Sequence, residues 1–125
     1  MEETSKKLND CPEAILTEVW NFLSSKPMPK IVLRRQRSTG KSFRSERLIS
    51  IREDSWNKMH LAEKRLIVIH EAIHQCKVPH MPGFRTSTDM LSLAVYRQIW
   101  GEDSILKEFF QGLNAQAAKI IEKNR

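Results

Sequence analysis

The sequence predicts a minimal α+β domain: a small, antiparallel-containing sheet packed on one central helix, with further helices at both ends. Two short β-branched segments, Lys30 to Arg35 and Arg47 to Arg52, sit between prolines and turn residues and predict strands. Several longer stretches repeat apolar residues at helical spacing, and one of them contains the Leu66-Ile67-Val68-Ile69 run. The order of these signals, helix, strands, helix, helices, predicts one compact α+β unit.

The elements follow in order. Pro12 sits where a first helical turn tolerates proline, and Ile15, Leu16, Val19, Trp20 and Leu23 form a helical stripe that ends before Pro27 and Pro29. After the first strand, Gln36 to Lys41 carries Ser38, Thr39 and Gly40 and reads as a turn. In the second strand Ile49 and Ile51 share one face while Leu48, Ser50 and Arg52 share the other. A long helix is expected to start between Ser55 and Leu61 and to run to about Lys77, where Val78-Pro79 stops it. Residues 79–88 read as a loop, followed by helices over Asp89 to Trp100 and Asp103 to Lys123, with Gly101 between them.

At 125 residues the chain is expected to form a single domain spanning 1–125. Hydrophobic residues at 40% and charged residues at 29% fit a globular protein and exclude extended disorder. No apolar run approaches the roughly 20 residues that cross a bilayer, so no membrane contact is expected. The first residues, MEETSKKLNDCPEAIL, lack a secretory pattern, and two cysteines make no disulfide framework. These features predict a reducing, cytoplasmic setting. The net charge of +6 permits contact with a polyanion without demanding it.

The residues that carry chemistry are His70-Glu71-Ala72-Ile73-His74, in the middle of the long helix. Residues four apart lie one turn apart on one helix face, so His70 and His74 can offer two imidazoles to one zinc ion. Glu71 is turned by about 100° from His70, beside the metal rather than on it, where a general base toward an attacking water belongs. Chance produces this pattern in a chain of this length on the order of once in a few hundred. The alternative, two histidines on a charged surface helix, fits poorly with the apolar Leu66 to Ile69 run just before them.

A catalytic zinc site needs a third protein ligand and one open position. His80 follows His74 beyond the Val78-Pro79 stop, and a chain that turns back there brings it over the same face. His60 lies about 15 Å upstream along the helix, too far to join. A thermolysin-type glutamate would fall near Leu93 and Ala94, which are apolar. Asp89 is a candidate to orient a ligand imidazole through its free N–H, or to cap the following helix.

The segment Ile69 to Phe84, IHEAIHQCKVPHMPGF, resembles the SprT-like and YgjP-type zinc metallopeptidases. Those enzymes combine H-E-x-x-H on a helix with a third histidine after a proline turn and then an H-x-P-x-F segment, here His80-Met81-Pro82-Gly83-Phe84. The resemblance implies a zincin-like fold and one zinc ion held by His70, His74 and His80. It also implies Glu71 as catalytic acid and base, and a peptide or protein substrate. Arg85 stands where the YgjP type carries an aromatic residue, and Lys77 replaces the glycine of the metzincins.

Four further expectations follow. Cys76, projected toward Ile69 and Ile73, reads as a buried thiol. Strand 47–52 is a candidate edge for backbone pairing with an extended peptide. Tyr96 or Arg85 could steady the developing oxyanion. Arg34, Arg35, Arg37, Lys41, Arg44 and Arg47 form a basic cluster around the two strands, a candidate DNA contact. The competing function is a small basic nucleic-acid-binding domain whose zinc is structural or vestigial.

Overall fold

A computed structural model describes residues 11–76 and 84–124, with 84–87 described as backbone only. Among them are five helices and one three-stranded mixed sheet, an α+β arrangement. In chain order these are α1 (Pro12–Leu23), β1 (Lys30–Arg34), β2 (Gly40–Phe43), β3 (Leu48–Arg52), α2 (Glu53–Lys58), α3 (Leu61–Gln75), α4 (Phe84–Trp100) and α5 (Ser104–Lys123).

The sheet order is β1-β3-β2, with β3 parallel to β1 and antiparallel to β2. The register sets Ile31 beside Ile49, Leu33 beside Ile51, and Ser42 on the other side of Ile49, all on one face. That face packs on α1 and α3. Ile15, Leu16, Val19 and Trp20 of α1 meet Val68, Ile69, Ala72 and Ile73 of α3 over Ile31, Ile49 and Ile51, all buried. The central helix is therefore held by α1, α4, α5 and strand β2.

The strand β2 corrects the sequence expectation of a simple turn. GKSF has no β-branched residue and only one aromatic, so its propensity is weak. Tertiary contacts hold it instead. The Gln75 side-chain amide at the end of α3 donates to Ser42 Oγ (2.7 Å), to the Phe43 carbonyl (3.2 Å) and to the Leu48 carbonyl (3.1 Å). Ser42 Oγ donates in turn to the Glu71 carbonyl at 3.2 Å. The long helix α3 begins at Leu61, within the expected span, but the short α2 before it was not expected. Met59 and His60 are extended, and α3 begins afresh with a capping box: His60 Nδ1 accepts from the Ala62 amide, and Glu63 accepts from the His60 amide. A second correction is the start of α4 at Phe84, inside the stretch expected to be a loop.

The junction of α3, α4 and α5 is fixed by Arg65. Its guanidinium donates to Tyr96 Oη and to Asp103 Oδ2, both at 2.8 Å, and lies 4.6 Å from the Trp100 ring centroid. Asp103 also caps α5, accepting from the Leu106 amide at 2.9 Å. Burial alone would push the Asp103 carboxyl up; the Leu106 amide, Arg65 and Tyr96 outweigh that and hold it below its ordinary value. A depressed carboxylate pKa contributes stability above the unfolded pKa and loses it as pH falls through the folded one. Asp103→Ala should therefore lower stability by about 2–3 kcal/mol at pH 7, with the deficit shrinking below about pH 4. Urea unfolding of both proteins across that range checks it.

Candidate metal centre

His70 and His74 stand on adjacent turns of α3, and their Nε2 atoms are 3.1 Å apart, with the rings nearly edge to face. Two ligands at about 2.0–2.1 Å in a tetrahedral zinc shell lie about 3.3 Å from each other. The two nitrogens are at hydrogen-bond distance, and the same spacing also fits two ligands of one metal. The Nδ1 atom of His70 faces Asp89 Oδ1 at 3.0 Å. That contact makes Nδ1 the protonated nitrogen and leaves the Nε2 lone pair turned toward His74. In this arrangement Asp89, from the first half of α4, sits behind His70 rather than between the two imidazoles.

Glu71 is 6% exposed, and burial pushes its carboxyl up to about 7. A cation bound by the neighbouring imidazoles would pull that value down again. Its surroundings explain Gly40. A Cβ at position 40 would stand 2.9 Å from Glu71 Oε2 and 3.2 Å from its Cγ and Cδ. The glycine therefore marks a close approach of strand to carboxylate, and the sequence reading of Gly40 as a turn residue missed that role.

The site opens into a cleft of about 710 Å³, with His70, Glu71 and Asp89 along one side and residues 37–40 along another. Strand β2 borders it. Because β3 is paired on both sides, it is the central strand, and the expectation that 47–52 offers a free edge is overturned. Among the described residues β2, beside Glu71, pairs only with β3.

The other expected residues fall in different places. His80 lies outside the described residues, and so does the Arg85 side chain. Among the described residues no group of three or more His, Cys, Asp or Glu side chains could hold a metal ion. Tyr96 is fully buried with its hydroxyl on Arg65 and Asp103, so it does not face the cleft and is no oxyanion donor there. The reason is angular: Arg65, its partner, is five residues before His70 and projects about 140° away around α3. Cys76 is exposed rather than buried, because the helix ends at Gln75 and Cys76, its C-cap, leaves the apolar stripe.

All six cations of the basic cluster are exposed. Arg34 and Lys41 flank the Phe43 ring at 5.3 and 5.4 Å from its centroid. Arg47 adopts a left-handed backbone (φ 52°) and its guanidinium donates to the Pro27 carbonyl, which gives it a structural task. Arg37 borders the cleft, whereas Arg35 and Arg44 are surface residues. No helix of the described residues is long and apolar enough to cross a membrane. Comparison with protein-family models, with curated proteins and with solved structures finds no match.

Proposed function

We propose that this chain is a minimal zincin-type metallopeptidase, hydrolysing peptide bonds in a peptide or protein substrate. The observation that carries the reading is the convergence of the two Nε2 atoms, 3.1 Å apart, next to a buried carboxylate at the wall of an open cleft. His70 and His74 would hold one zinc ion, with His80 as third ligand on the strength of the SprT-like resemblance. Bound there, zinc supplies Lewis acidity toward a water and toward the scissile carbonyl.

The chain's own residues do the rest. Glu71 takes a proton from the attacking water as its oxygen bonds to the carbonyl carbon. The carboxyl then passes that proton to the amine nitrogen as the C–N bond breaks. Asp89 fixes the tautomer and orientation of His70. The edge of β2 that no described strand pairs with offers backbone groups to an extended substrate beside Glu71.

The reading is tested with zinc-loaded protein and an unfolded substrate such as casein. Fragments should form, stop with a zinc chelator, and resume when zinc is restored. Cleavage indifferent to the chelator would contradict it.

A further inference from the structure

The cleft continues past His70 toward the start of α3, and that end has a different chemistry. Leu66 and Ile67 each lie one turn before His70 and Glu71 on the same faces of α3. On α4, Leu93 follows Asp89 by one turn, so the helix that meets His70 through Asp89 brings Leu93 to the same end of the cleft. Met59 and Phe110 complete that end, Phe110 from α5. All five side chains are only half-buried, so each keeps apolar surface that a guest could cover. Glu63, also at this end, is occupied in the capping box of α3.

Resting on the hydrolytic reading above, we infer that this end of the cleft is a subsite for a bulky apolar side chain directly flanking the scissile bond, with Phe110 as a specificity-determining residue. Its distance from the metal pair is one helical turn, about 5–6 Å, which is the reach of a side chain from the backbone position next to the reacting carbonyl. A leucine, methionine or phenylalanine side chain placed there covers the exposed apolar surface of three helices at once. Glycine or alanine leaves that surface wet. Discrimination between such side chains by an apolar pocket is about 10- to 200-fold.

The test separates binding from turnover by using zinc-loaded Glu71→Gln protein and two fluorescein-labelled glycine–serine peptides, one with a central phenylalanine and one with a central alanine. The phenylalanine peptide should bind about 10-fold tighter or more. Phe110→Ala in the same background should cut that preference below about 3-fold, and Phe110→Leu, which keeps the helix junction packed, should retain most of it. Equal affinities for the two peptides, or a preference undiminished by both Phe110→Ala and Leu66→Ala, would overturn the subsite. If the preference is present but zinc-loaded wild type cleaves neither peptide, the subsite stands and the hydrolytic reading falls. Cleavage of both peptides at equal rates, with equal affinities, removes the subsite and leaves the hydrolytic reading in place.

Discussion

Glu71→Gln should retain zinc and lose hydrolysis, by about 10²- to 10⁴-fold in kcat. The amide keeps the size of the side chain but has no basic oxygen to accept the water's proton and none to return. The same substitution has an opposite effect on the metal-free protein. There the folded carboxyl titrates at about 7 against an ordinary 4.5. A raised carboxyl pKa means that the folded state binds the proton more tightly than the unfolded chain. Stability is therefore fully present below about pH 4.5 and is lost as pH rises through 7. Removing the charge should make chelator-treated Glu71→Gln more stable than wild type at pH 8, by on the order of 2–3 kcal/mol, with little difference near pH 4.5. Loss of activity joined to that gain separates a catalytic carboxylate from a structural one. A Gln variant that is less stable at pH 8 would show that the buried carboxylate is favourably paired.

The second large effect is expected at Gly40. Gly40→Ala puts a methyl group 2.9 Å from Glu71 Oε2, closer than van der Waals contact allows. The strand is held by its pairing with Ile51 and by the Gln75 and Ser42 contacts, so the carboxylate must move. A displacement of a few tenths of an ångström to one ångström at the base should lower kcat by about 10- to 100-fold. Zinc content should change little, because the imidazoles are not touched. An unchanged kcat would mean that Glu71 acts from another rotamer.

The sequence was most legible where one local rule decided the outcome. The helix of His70 and His74, the stripe of α1, and the Ile49/Ile51 strand all follow from apolar period and stop signals. The pairing of imidazoles four residues apart is likewise a property of helical geometry alone. What stayed hidden depends on contacts between distant segments. β2 exists because Gln75, more than thirty residues later, donates to it. The order β1-β3-β2, which puts β2 rather than β3 at the edge beside Glu71 among the described strands, is a matter of how distant segments pack and has no local signal in the sequence. Tyr96 sits in a stretch whose helical character was readable, but only the fold reveals that Arg65 and Asp103 claim its hydroxyl. The start of α3 at Leu61 fell within the expected span, but the short α2 before it and the cap at His60 were not read, because imidazole is an unusual N-cap.

The proposed site is a zinc ion held by three imidazoles with one position left open, served by Glu71. X-ray absorption at the zinc edge of the purified, zinc-loaded protein tests it most directly, together with zinc content and the same measurement on His80→Ala. About one zinc per chain, with about three imidazole nitrogens and a fourth oxygen neighbour at about 2.0–2.1 Å, is the expected result, and His80→Ala should lose one imidazole and bind zinc far more weakly. A fourth protein ligand, such as sulfur at about 2.3 Å from Cys76, or a metal indifferent to His80, would contradict the proposed catalytic site.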